Sequence, residues 1–221
     1  MFTSEPFRNS ELIENLKVDL SKKSQKIASV PYARKKSFDF YTDKMVFDSK
    51  EVFYKNLAGY GHVMTHSSQS IEHIIPVSNK TFFLFNFLAG DKKPIRFKKS
   101  ALSPFAIYSK KQETVYKIFL ELAKCIDIIV APYMLSVLLD RLQRGEEIAI
   151  GRLIISNQQV KKKKLFGGEK VLEQYQQAIV GKGFVNVITK GGKSFYFLKL
   201  SAINAPLLKP ILDRLYLGND K

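Results

Sequence analysis

Residues 178–200 read AIVGKGFVNVITKGGKSFYFLKL. Two runs, residues 184–189 and 194–200, are rich in β-branched and aromatic side chains and flank Lys190-Gly191-Gly192-Lys193. Adjacent glycines reach positive φ without a Cβ penalty, so this spacing predicts a tight hairpin. Gly181-Lys182-Gly183 punctuates the chain just before it. Upstream, residues 169–180 set Val171, Leu172, Tyr175, Ile179 and Val180 on one side of a 3.6-residue repeat. That pattern predicts an amphipathic helix ended by Gly181.

Further upstream lies the lysine run Lys161-Lys162-Lys163-Lys164, followed by Leu165-Phe166-Gly167-Gly168. Residues 149–155 form a short apolar segment that fits either a strand or a helix. Residues 112–144 read as helical, with Val115, Ile118, Phe119, Leu122 and Ile126 in one stripe. Pro132 starts a second helix or kinks the first, and Gly145 is a stop signal. At the other end, Leu207, Leu208, Ile211, Leu212 and Leu215 outline a short amphipathic helix.

Residues 38–109 favour strand. Phe38-Asp39-Phe40-Tyr41 alternates apolar and polar, and residues 70–77 and 81–88 suggest a hairpin turning at Ser78-Asn79-Lys80. Residues 90–93 read as another turn, with Pro94 opening a strand or lying on an edge. Residues 1–37 read as a mobile basic arm in which Ser10 caps a helix over residues 11–20. No internal repeat is visible. The expected fold class is α+β: a β-rich N-terminal half, a helical middle and a C-terminal helix–hairpin unit. The domains are then 1–37 (arm), 38–111 (β-rich) and 112–221 (helical, with the hairpin).

Charge dominates the composition. Lys and Arg number 36 against 20 Asp and Glu, for a formal net charge of +16 in 221 residues. Self-repulsion on that scale does nothing for folding, so a polyanionic partner is expected, nucleic acid first and an anionic membrane surface second. One cysteine, Cys125, permits neither an internal disulfide nor a cysteine-rich zinc site. The first residues lack the basic and apolar regions of a secretory signal. The greasiest stretch, residues 118–139, carries Glu121, Lys124, Asp127 and Pro132 and reads as buried helix rather than a membrane span. An intracellular protein that is neither secreted nor transmembrane is expected, with a homo-oligomer among its expected states.

The order of elements over residues 133–200, with AIVGKGFVNVITKGGKSFYFLKL at its end, resembles a winged-helix DNA-binding domain. The resemblance covers about a third of the chain. It implies that a helix over residues 170–180 approaches a groove with Lys170 on it, and that Gln174, Gln176 and Gln177 reach base edges. It implies that Lys190, Lys193 and Ser194 form a wing touching phosphates, with Lys161, Lys162, Lys163 and Lys164 adding non-specific contact. A strand at residues 148–156 would stand where that family has a second short helix.

A second basic cluster comprises Lys92, Lys93, Arg96, Lys98 and Lys99. Arg96 and Lys98 share one face of a strand and Phe97 takes the other. Phe83, Phe85 and Phe97 are either core residues or platforms for unpaired bases. His62, His66 and His73 fall close together, but no Cys or Asp completes a metal set, so neither metal nor cofactor is expected. Residues 72–76 (EHIIP) open like an HNH nuclease motif whose later ligand is missing. No phosphate loop, GxSxG elbow or acid–base pair is present, so the expectation is a binding protein and not an enzyme. It is either a DNA-binding regulator or replication initiator, or a structural protein that coats nucleic acid, such as a viral nucleocapsid or matrix protein.

Overall fold

The computed structural model describes residues 23–71, 75–90, 93–104, 109–164 and 166–218. They form antiparallel sheets and helices, an α+β structure, in two compact units: residues 23–58 with 62–130, and residues 59–61 with 131–218.

In the N-terminal unit β1 (Lys26–Ala33), β2 (Lys36–Tyr41), β3 (Lys44–Phe47) and β4 (Lys50–Phe53) make a four-stranded meander. A three-stranded meander follows: β5 (Leu57–Ile71), β6 (Ile75–Ala89) and β7 (Ile95–Pro104). Helix α1 (Lys110–Cys125) comes next. Period-two alternation buries Phe38 and Phe40 of β2, Phe47 of β3 and Phe83, Phe85 and Phe87 of β6. Their rings join the two sheets: Phe38 stacks on Phe47 at 4.5 Å, and Phe97 meets both edge-on at 5.4 Å. Each such side chain contributes roughly 1.5–3 kcal/mol by leaving water. A Ser109–Gln112 capping box starts α1, which turns Val115, Ile118 and Leu122 inward.

The C-terminal unit repeats the plan with shorter strands. Helix α2 (Ala131–Gln143) precedes β8 (Ile148–Ile150), β9 (Leu153–Ile155), β10 (Val160–Lys163) and β11 (Glu169–Val171), again a meander. Then come β12 (Tyr175–Gly181), β13 (Phe184–Thr189) and β14 (Ser194–Lys199), and finally helix α3 (Leu208–Tyr216). Ile150, Leu153, Ile155 and Val160 of the first sheet are buried, as are Val185, Val187 and Tyr196 of the second and Leu208, Ile211 and Leu212 of α3. Tyr175 ties α3 down by donating to Asp213 at 2.5 Å, and Lys209 pairs with the same carboxylate.

The duplicated order of four strands, three strands and a helix escaped the sequence because only topology repeats. The division falls between Val130 and Ala131, not after residue 111. Residues 26–33, read as arm, are strand β1, and Lys35 at φ 58° turns the chain into β2. The Ser10-capped helix lies outside the described residues.

Two helical features follow from local chemistry. A π-turn (Ile126–Val130) separates α1 from α2 just before Pro132, whose ring would crowd the carbonyl one turn back. Gly145, at φ 81°, closes α2: its N–H donates to the Leu142 carbonyl and that of Glu146 to Arg141, a Schellman cap. Among the described residues this run (Lys110–Gln143) is the one helix long and apolar enough to cross a membrane by length and composition, with a third of its most apolar window buried. Those two properties alone do not make it a span.

Two expected elements differ. Ser78-Asn79-Lys80 is not a turn: these residues lie within β6, opposite Pro104, Ser103 and Leu102 of β7. A long continuous ladder overrides the local preference of polar residues for turns. Residues 169–180 are not a helix but strands β11 and β12. Of the five residues expected on the helix face, Leu172 and Tyr175 are buried with Ala178, whereas Val171, Ile179 and Val180 are exposed. A bulge between Tyr175 and Gln177 inserts one extra residue, so positions three apart face the same side. Tyr175 and Ala178 thereby share the buried face.

The β8–β9 turn is the tightest point of the C-terminal unit. Gly151 has φ 62°, and a Cβ there would lie 2.4 Å from the buried Tyr196 hydroxyl, which accepts the Arg152 N–H at 2.8 Å. Gly151→Ala is therefore expected to cost more than the about 1–3 kcal/mol of left-handed backbone alone. Gly191→Ala, at φ 97° with open space around it, isolates the backbone cost. Urea midpoints of the two variants check this, with Gly151→Ala the lower.

Candidate nucleic-acid interface

Of the sequence-predicted lysines of the C-terminal unit, Lys161, Lys162, Lys163 and Lys170 lie on strands β10 and β11, and Lys190 and Lys193 lie in the turn of the expected β13–β14 hairpin. In the β10–β11 ladder Lys162 stands directly opposite Lys170. Like charges so placed oppose the pairing. Both lean over Phe195 of β14: each ammonium lies 5.8 Å from the ring, and Lys162 Nζ donates to the Phe195 carbonyl at 2.9 Å. Phe195 itself is buried, so the two lysine stems close the end of the core while their heads stay at its rim.

Backbone bonds draw further cations to that end. The Lys163 N–H donates to the Arg152 carbonyl at 2.9 Å, joining the β8–β9 turn to β10. The Lys190 N–H donates to the Gln174 carbonyl at 3.1 Å, joining the β13–β14 turn to the β11–β12 link. Lys193 closes that turn by presenting its carbonyl to the Thr189 N–H at 3.0 Å. Two residues further on, the Phe195 carbonyl holds Lys162. Lys162 and Lys170 thus share Phe195, the Lys163 backbone is tied to Arg152, and the Lys190 backbone is tied to the β11–β12 link. Lys161 is partly neutralised by Glu169 at 3.3 Å.

Gln174, Gln176 and Gln177 are exposed but sit on the β11–β12 link and the bulged start of β12. They line no recognition helix, because none exists over residues 169–180. Gln174, Gln177 and Lys170 therefore stand on two strands and their link, not on the helix that the resemblance implied. Residues 148–150 and 153–155 are strands, the outcome that departs from the winged-helix pattern.

In the N-terminal unit Arg96 and Lys98 are exposed on one face of β7 and Phe97 is buried on the other, as alternation predicts. Lys93 is exposed, Lys99 lies over the Tyr32 ring at 5.4 Å, and Lys92 falls outside the described residues. Phe83, Phe85 and Phe97 are core residues and offer nothing to an unpaired base.

Arg152 was missed because a single arginine after a glycine gives no run to notice. The signal for Lys182, Phe184, Phe197 and Lys199 is of a different kind: a lack of carboxylates rather than a density of lysines. Residues 174–212 contain five lysines and no Asp or Glu. That signal was readable.

His62 and His66 lie on strand β5, and no group of His, Cys, Asp and Glu able to hold a metal occurs among the described residues. His73 and Glu72 fall outside them. His66 Nδ1 is 2.8 Å from the Thr81 hydroxyl. His62 packs between Phe85 (5.3 Å) and Phe119 (5.8 Å), and burial pushes its pKa down to about 4. Burial likewise pushes the Cys125 thiol up to about 11, which keeps it protonated and a poor nucleophile at neutral pH.

Searches against protein-family models, curated proteins and solved structures returned no match.

His62 makes stability depend on acid. Its folded pKa lies below the unfolded value near 6.5, so the unfolded chain binds the extra proton between about pH 6.5 and 4. Stability therefore falls as pH drops through that window, by about 3 kcal/mol from this residue, and is unaffected by it above pH 7. Urea midpoints of wild type and His62→Phe at pH 7.5 and 4.5 check the effect. The wild type is expected to lose more on acidification.

Proposed function

We propose that this protein binds nucleic acid without catalysing a reaction, through the lysine-bearing end of its C-terminal unit. The observation that carries the reading is the opposed pair Lys162 and Lys170, beside the Lys190–Lys193 turn and an acid-free stretch of 39 residues, 174–212. Directly facing lysines cost stability, and a phosphate placed between them turns that repulsion into attraction. Gln177 and Lys170 serve this reading as surface contacts rather than as a helix in a groove. Sequence-independent contact to phosphates follows, which suits a coating protein at least as well as a site-specific regulator.

A second reading has its own observation. Phe166 is fully exposed at the β10–β11 turn, two positions after the last of four consecutive lysines. An aromatic tip with a cationic collar also suits an anionic bilayer surface. Flotation with anionic and with neutral vesicles separates the two: binding to anionic vesicles that Phe166→Ser abolishes favours the membrane.

The nucleic-acid reading makes a quantitative demand. Replacing Lys190 and Lys193 together by Ala reduces the slope of log K against log salt by about 1 per lost phosphate contact. Lys117→Ala, in an ion pair with Glu113 on α1, leaves it unchanged. Titrations at a series of salt concentrations measure both, and an unchanged slope in the double variant removes the two lysines from the interface.

A further inference from the structure

We infer that the ligand of the C-terminal unit is a single-stranded nucleic acid whose bases stack on Phe184 and Phe197, on the outer face of the β12–β13–β14 sheet. The inference rests on the nucleic-acid reading above and narrows it.

Alternation in β13 and β14 turns Val185, Val187 and Tyr196 into the core. The residues between them face outward, and an outward row on a half-buried sheet is ordinarily polar. Here it is aromatic. Phe197 is 56% exposed and Ile179 48%. In register, Ile179, Asn186 and Phe197 form one row across the three strands, and Gly181, Phe184 and Lys199 form the next. Phe184 and Phe197 are therefore diagonal neighbours, and their rings stack with centroids 4.4 Å apart and planes 26° from parallel.

Gly181 adds no side chain beside Phe184, so a groove of about 400 Å³ opens there, lined also by Ile179, Lys182, Asn186 and Phe197. Asn186 Oδ1 accepts the Ser194 hydroxyl at 2.6 Å, which holds the carboxamide beside the ring pair. The platform is thus aromatic and edged by an amide, a combination that suits planar bases with polar rims.

Charge selects the occupant. Lys182 and Lys199 stand at one end of the sheet, and Lys190 and Lys193 at the other, about 20 Å away along six-residue β13. No carboxylate occurs in these strands or their turns. A second copy of the chain would bring the same lysines against themselves, so self-pairing through this face is opposed by its own charge. A duplex keeps its base faces stacked inside and offers the platform only phosphates. A single strand offers both phosphates for the ends and bases for the centre.

Fluorescence anisotropy of the full chain with labelled oligo(dT), and with a duplex of equal length, tests this at 50 mM salt. Oligo(dT) is expected to bind on the order of tenfold more tightly, and Phe197→Ala to weaken it about five- to 150-fold, the usual cost of one lost base stack. Duplex affinity should barely move in that variant. The chain has no tryptophan, so Phe197→Trp supplies a single reporter that keeps the stacking surface. Its emission should be quenched in step with the anisotropy. Anisotropy that rises with no change in Trp emission, or equal binding of both polymers unaltered by Phe197→Ala, overturns the stacking inference and leaves phosphate binding intact. No response to either polymer overturns both. A free protein whose sedimentation changes from dimer to monomer on Phe197→Ala would show the face to be a self-association surface, and the inference falls.

Discussion

Each unit depends on one constraint: a short meander with a single apolar face is unstable until that face is covered. Four strands cover three, and a helix follows them in sequence. In the N-terminal unit the cover is a set of phenylalanine rings from β2, β3, β6 and β7, in contact at 4.5–6.0 Å. In the C-terminal unit the strands are three to seven residues long and the cover is mostly aliphatic, with Tyr175, Phe195 and Tyr196 filling the ends. Once both inner faces are spent on each other, every lysine must find the rim or the outside.

That constraint explains how the cationic end is built. Strands β10 and β11 run past the edge of the apolar core, so their last inward positions are occupied by Lys162 and Lys170. Long methylene stems lie over Phe195 while the ammonium groups reach the rim. A single core requirement thereby places two like charges face to face. Such an arrangement is tolerated because one ammonium has a backbone carbonyl and both have an aromatic ring, and because an anion would relieve what remains.

Two different surfaces of one small unit then carry the functional readings. The end collects charge, and the outer face of β12–β14 displays stacked rings between lysines. The Lys190–Lys193 turn belongs to both, since it caps the sheet and adjoins the β11–β12 link through the Lys190–Gln174 bond. A strand lying across the sheet would pass from the rings to the charged end through that turn.

Much was legible in the sequence where a local rule acts alone. Two glycines at positive φ made the β13–β14 turn, Gly145 made a helix stop, Pro132 marked a break, and alternation placed Phe97 inside with Arg96 and Lys98 outside. The lysines of the candidate interface were likewise named from sequence, because charge density is a property of the chain. Tertiary structure decided what local rules could not. It made residues 169–180 strands and left Val171, Ile179 and Val180 exposed, since their spacing fits a helix as well as a strand and only pairing with a neighbouring strand decides between them. It carried β6 through Ser78-Asn79-Lys80, since ladder pairing outweighs turn preference. It separated the aromatic residues into core and surface, burying Phe83 and Phe85 and exposing Phe197, although all three sit in runs of similar composition. In β13 and β14 both faces carry apolar side chains, so alternation within the strand does not decide which face meets the core, and a partner sheet far away in sequence does.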